Sequence, residues 1–253
     1  MHNDLNPEIK NKLKPHVLYD DGSVYLGEFN TVEDKRNGRG ILMCEDKSKY
    51  EGQWKEDMPD GKGKYIYPNG DYYIGEWKDG KFNGQGKYVQ LNGSVYEGNW
   101  KNNLKDGEGT ETLPDGSVFR GNYCQGQKKG KGVFKWNNGA SYEGEFDLNQ
   151  INGFGIYIFS DKRKYIGEWK NNKMNGHGKF EWPDGRVYTG KYKEDKKDGQ
   201  GEFEWPDGRK FKGTWKDGKQ DGEGLFYIPK RKIWRKGIWN NGKRIKWIDE
   251  STN

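Results

Sequence analysis

Every 23 residues this sequence returns to the same glycines. Tyr50-Glu51-Gly52-Gln53-Trp54 recurs as Tyr73-Ile74-Gly75-Glu76-Trp77 and as Tyr96-Glu97-Gly98-Asn99-Trp100, and the 23-residue step holds through Phe119, Tyr142, Tyr165, Tyr188 and Phe211. An earlier copy starts at Tyr25 with two extra residues in its loop, and a half copy starts at Arg235. With the leading aromatic of each copy as position zero, all 39 glycines fall on repeat positions: two, eleven and thirteen, and in some copies seven or twenty. A period of this length marks a chain that builds one supersecondary unit many times over.

The spacing dictates the unit. Positions zero, two and four are aromatic, glycine and aromatic, while positions one and three are often acidic, as at Glu51, Glu97 and Glu168. That alternation is period two, a strand with one aromatic and one charged face. Gly176-His177-Gly178-Lys179-Phe180-Glu181-Trp182 runs the same way, after a loop of Asn, Asp, Lys and Gly. Pro183-Asp184-Gly185 and Pro68-Asn69-Gly70 are turn signals, because Gly, Asn and Asp accept positive φ. Each repeat therefore reads as a β-hairpin.

The expected fold is all-β, an elongated single-layer antiparallel meander: a solenoid of β-hairpins from about nine 23-residue repeats plus a partial one. At roughly 4.8 Å per strand it would extend on the order of 90 Å. The expected organisation is an N-terminal extension or cap over 1–21, the array over 22–247 and a tail over 248–253. Helical folds are excluded by one Ala against 39 Gly and 8 Pro. Aliphatic residues are too few for a thick two-sheet core, but 31 of the 38 aromatics fall on positions zero, four, fifteen and seventeen. Rings laid over strand glycines can take the place of that core.

Tyr-x-Gly-x-Trp, then Gly-x-Gly, then a turn every 23 residues resembles the MORN repeat (membrane occupation and recognition nexus) over about residues 22 to 247. Departures are mild: Phe119 and Phe211 replace the leading Tyr, Tyr123 and Tyr192 are among the replacements for Trp, and Asp161-Lys162-Arg163 lacks the turn Gly. The resemblance implies a non-enzymatic β-sheet scaffold, a component of a ciliary axoneme (as in radial spokes) or another cytoskeletal assembly. It implies partners among other proteins of a larger, microtubule-associated assembly, with a homodimer left open. No fused catalytic domain fits in the segments flanking the array.

Chemistry-bearing constellations are few. The middle residue of Gly-x-Gly varies from Arg39 to Phe154 to Glu223, and no strand–loop–helix context surrounds it, so these glycines read as spacers and not as a phosphate cradle. His2, His16, His177, Cys44 and Cys124 are scattered, so neither a metal nor a cofactor is expected, and no catalytic residue stands out. The opening Met1-His2-Asn3-Asp4 is polar and no apolar run reaches the roughly 20 residues of a membrane span, which reads as a cytoplasmic protein.

Charge and stray rings nominate a contact surface. Residues 229–253 carry eight Lys and Arg against two Asp and Glu, which equals the whole net charge of +6. Exposed Trp beside Arg is a frequent composition of binding hot spots. The expected partner contact is thus Trp234, Arg235, Lys236, Arg244 and Trp247, with Phe82 in its hairpin loop and Phe154 inside Gly153-x-Gly155 as secondary contacts. The alternative is a peripheral membrane adaptor that binds anionic phospholipid through this basic end. Nucleic acid is not expected as a partner, because no basic stripe runs along the array.

Overall fold

The computed structural model describes residues 11–248. The first ten residues of the expected N-terminal extension and all but the first residue of the expected tail lie outside the described residues. Among the described residues there is no helix; 21 strands, from β1 (Asn11–Leu18) to β21 (Lys243–Trp247), form one antiparallel sheet in meander order. The described backbone divides into two compact units, residues 11–127 and 128–248. Both are built on the same register.

In the second unit, β14 (Lys164–Lys170) pairs with β15 (Lys173–Glu181) so that Tyr165 faces Phe180, Gly167 faces Gly178 and Trp169 faces Met174. β15 then pairs with β16 (Val187–Lys193), placing Gly178 against Gly190 and Phe180 against Tyr188. Glycines at positions two and thirteen therefore lie side by side, in a row from Gly132 to Gly237. In the first unit the row runs from Gly27 to Gly121.

Close approach explains the row. A Cβ on Gly167 would lie 2.5 Å from the Gly178 Cα and 2.5 Å from the His177 carbonyl oxygen, and one on Gly178 would enter the Tyr165 ring. The ring lies over bare backbone, and its hydroxyl donates to the Glu168 carbonyl at 3.0 Å. Rings at position zero are sealed off: Tyr25, Tyr73, Tyr142, Tyr165 and Tyr188 are 0% exposed.

Neighbouring rings at positions zero and four meet edge to face. Tyr50 stands at 88° to Trp54 and at 82° to Trp77, both 5.0 Å away. The positive edge of one ring meets the negative face of the next, and each such pair adds about 0.5–1.5 kcal/mol beyond its buried area. The Trp indole ties one repeat to the previous one: Trp77 Nε1 donates to the Gly63 carbonyl at 3.1 Å.

The loop inside each hairpin is shorter than the sequence suggests. In every copy after the first it is a two-residue turn such as Asn171–Asn172, with φ 50° and 64°, while in the first copy residues 31–35 separate the two strands. Positive φ at both residues defines the type I′ turn, whose twist matches the strands it joins. The second strand then resumes at position eight. A bulge follows opposite Gly167–Trp169, where Gly176 has φ 91°.

Candidate functional site

One side of the sheet carries the rings at positions zero, four, fifteen and seventeen. Those at zero and four are buried, while those at fifteen and seventeen range from half-buried, as at Tyr65, Tyr67 and Tyr88, to buried, as at Phe180 and Phe203. In the first unit they enclose a groove of about 840 Å³ whose walls include Tyr65, Tyr67, Trp77, Phe82, Tyr88 and Trp100. Tyr65 and Tyr67 pack edge to face at 4.7 Å, and Tyr67 meets Tyr88 at 5.8 Å. The Tyr88 hydroxyl donates to Asp71 Oδ2 at 3.3 Å, and burial pushes its pKa up to about 12. This surface offers apolar contact with a few polar tips, a composition suited to protein segments.

The two-residue turn brings a further position onto the same face. Because Trp169 lies opposite Met174, and Trp77 opposite Phe82, position nine always sits beside the position-four ring. Its occupants differ from repeat to repeat: Arg36, Pro59, Phe82, Lys105, Lys128, Ile151, Met174, Lys197, Gln220 and Arg244. Arg36 lies 4.4 Å from the Trp54 ring centre, and its Nε donates to Asp57 Oδ1 at 3.1 Å. Lys105 lies over Tyr96 at 4.6 Å and forms an ion pair with Glu111, which also accepts from the Tyr123 hydroxyl at 3.1 Å. Position nine thus sets the local chemistry of the ring surface. The sequence reading missed it because no residue type recurs there. Counting across a two-residue turn, which pairs position four with position nine, would have found it.

The residues nominated from sequence separate into three places. Phe82 is corrected: it lies in strand β7 (Lys81–Val89), not in a loop, and is only 8% exposed. Its ring stacks on Tyr73 at 3.8 Å and 10°, so it contributes to the wall of the groove instead of standing free. Phe154 is 54% exposed on the opposite face, across from Glu168. At the C-terminal end, β20 (Ile233–Asn240) pairs with β21 with Gly237 opposite Trp247. The Arg235 and Arg244 guanidiniums lie 4.3 and 4.2 Å from the Trp247 ring centre. Trp234, 45% exposed, packs on Tyr227 at 5.2 Å, and Lys236 Nζ bonds Glu223 Oε2 at 2.8 Å. The structure brings Arg235, Arg244 and Trp247 into one cluster and points Lys236 toward Glu223.

Among the described residues no group of His, Cys, Asp and Glu is arranged to hold a metal ion. Among the same residues no helix is long and apolar enough to cross a membrane.

The MORN repeat family model matches residues 25–49, 50–72, 73–95, 96–118, 119–141, 142–162, 165–185, 188–208 and 211–231. No curated protein sequence matches the chain closely enough to count as a relative. Among solved structures, the TCP10 domain of Danio rerio CPAP in complex with a peptide of Danio rerio STIL is similar at 16% identity and a TM-score of 0.46, over 95% of this chain and 98% of that one. The wild-type TCP10 domain of Danio rerio CPAP is similar at 18% identity and a TM-score of 0.44, over 81% of this chain and 94% of that one. The TCP domain of Drosophila melanogaster SAS-4 (dCPAP), in complex with a proline-rich motif of Ana2 (dSTIL), is similar at 14% identity and a TM-score of 0.38, over 70% and 90%. These likenesses are too slight to carry a ligand across.

Proposed function

Since the chain belongs to the MORN-repeat family, we propose that it is a non-enzymatic scaffold whose aromatic face takes up segments of partner proteins. The observation that carries this reading is the ring-walled groove of about 840 Å³ in the first unit. Half-buried Tyr and Trp provide large contact areas with little side-chain entropy to lose. The residue at position nine gives each stretch of the face its own preference.

The family resemblance supports, as the place of the scaffold, a ciliary axoneme (as in radial spokes) or another cytoskeletal assembly in the cytoplasm. The C-terminal end, with the cluster of Arg235, Arg244 and Trp247 and with Trp234 and Lys236 outside that cluster, is the second contact in this proposal, with Phe154 on the other face. A lipid reading is favoured by one observation, the two guanidiniums held over Trp247 at an end of the chain that also exposes Trp234. Cations and exposed indole rings suit an anionic membrane surface.

The test is purification of the tagged full chain with whatever it binds, as wild type and as Tyr67→Ser/Tyr88→Ser. Loss of specific protein partners in the double variant, with its unfolding temperature retained, supports the scaffold. Retention of every partner contradicts the groove as the docking site.

A further inference from the structure

Of the cations that position nine sets over the rings, Arg36, Lys105 and Lys197 differ in how their charge is met. Arg36 has Asp57, and Lys105 has Glu111. Lys197, in β17 (Lys196–Glu204) of the second unit, occupies the same place in its repeat. Its ammonium is surrounded by the rings of Phe203 at 4.5 Å, Trp215 at 4.7 Å, Tyr188 at 5.0 Å and Trp182 at 5.2 Å. No carboxylate pairs with it among the described residues.

The repeat itself explains the gap. Glu111 stands at position fifteen of its repeat, and the residue at position fifteen beside Lys197 is Phe203. Burial, with Arg186 as a second cation nearby, pushes the Lys197 pKa down to about 8, so the charged form is poorly supported from within the chain. Ring faces attract an ammonium, but they replace only part of its lost hydration.

We propose that Lys197 and its four rings form a specificity pocket for a carboxylate, the side chain of an Asp or Glu in a partner polypeptide lying along the aromatic face of the second unit. The inference rests on the scaffold reading above and adds a chemical preference to it. The incoming carboxylate would do for Lys197 what Glu111 does for Lys105, and the flanking rings would take the apolar residues on either side of it. A carboxylate is favoured over other anions because the chain's own filled version of the site uses one.

The experiment is an array of synthetic decapeptides, each with a single Glu or Asp among apolar residues, beside twins carrying Gln or Asn at that place. The array is probed with the full-length wild type, Lys197→Met and Phe203→Glu. Met occupies position nine naturally at Met174, and removing a half-buried charge that no carboxylate pairs with leaves nothing unpaired, so Lys197→Met should fold. Phe203→Glu supplies an internal carboxylate and should fill the pocket, as at Lys105.

The expected result is wild-type preference for acidic peptides over their amide twins by tenfold or more, lost in both variants while thermal unfolding stays cooperative. Peptides held without an acidic preference, or a preference that survives Lys197→Met, overturn the pocket and leave the scaffold standing. Absence of binding to any peptide, or stronger retention of anionic vesicles than of any acidic peptide, overturns both.

Discussion

The backbone amide of Ile151 donates to the Asn172 side-chain oxygen at 2.7 Å, and the Asn172 amide returns a bond to the Ile151 carbonyl at 2.9 Å. The turn of one repeat is thereby clamped to position nine of the repeat before it. The same reciprocal pair joins Phe82 to Asn103 and Met174 to Asp195. Where the turn residue is glycine only the return bond remains, as from Gly218 to the Lys197 carbonyl at 2.9 Å. Gly80 faces Pro59, which has no amide hydrogen to satisfy.

The clamp predicts graded costs at one position. Asn172→Gly keeps the backbone at φ 64° and loses only the side-chain acceptor, so it should cost about 1 kcal/mol. Asn172→Ala also puts at φ 64° a residue without the short polar side chain that lets Asn tolerate the left-handed region, which adds up to roughly 1–2 kcal/mol. Urea unfolding of the two variants measures the difference. Equal losses would mean that the backbone conformation at 172 is not under constraint.

The glycine row predicts a steep contrast between neighbours. Gly167→Val inserts a branched side chain where only 2.5 Å separates the new Cβ from the Gly178 backbone, and overpacking of this kind costs about 3 kcal/mol or more. Lys170→Val is exposed on the same strand and should change stability by less than about 0.5 kcal/mol. Thermal unfolding distinguishes them, and similar shifts would remove the spacer role of position two.

High pH should dissolve the ring face through its tyrosines. Burial raises the pKa of Tyr25, Tyr50, Tyr73, Tyr96, Tyr165 and Tyr188 above the ordinary 10.0, and that of Tyr142 to about 12. Above pH 10 the unfolded chain releases protons that the folded chain still holds, so stability falls as pH rises. Lys197 acts with the opposite sign between pH 8 and 10.5, because there the unfolded chain binds the proton that the folded one has released. Stability should therefore hold or rise slightly from pH 8 to about 10 and then drop steeply. Urea midpoints across that range, read beside tyrosinate absorbance, check it. Tyrosine ionisation at pH 10 with no loss of structure would contradict the sealed ring face.

The C-terminal cluster separates protein docking from lipid binding. If the chain works through proteins, the wild type should bind neutral and phosphoinositide-containing vesicles equally weakly at physiological salt. Strong, salt-sensitive recruitment to the anionic vesicles, lost in Arg235→Ser/Lys236→Ser/Arg244→Ser, would favour the adaptor. That triple variant should also unfold at a lower temperature, since it removes two cation–π contacts with Trp247, each worth about 0.5–1 kcal/mol at an exposed site.

Much of the fold was legible because the repeat writes the same residues at the same places. Tyr165, Gly167, Gly178 and Phe180 carry their pairing in their spacing, and the structure aligns them as the alternation requires. The site was less legible. Phe82 reads as a loop residue because Asp, Gly and Lys around it suggest a long connection, whereas the turn is only Asp79–Gly80. Lys197 was invisible for a related reason. The bulge at Gly199 interrupts strict alternation, so period two alone does not carry the aromatic face back to position nine. The edge-to-face geometry of the rings follows from three-dimensional approach, which no spacing records.

The central claim is that in the first unit the ring-walled face, not the opposite one, holds the partner. Site-specific photocrosslinking tests it most directly, with p-benzoylphenylalanine introduced as Tyr67→p-benzoylphenylalanine on the groove wall and as Ile74→p-benzoylphenylalanine on the other face, where Ile74 is 48% exposed. Each is irradiated in the complex purified with its partner. The account predicts crosslinks to the partner from position 67 and none from position 74. Crosslinks from position 74 alone, or equally from both, would contradict it.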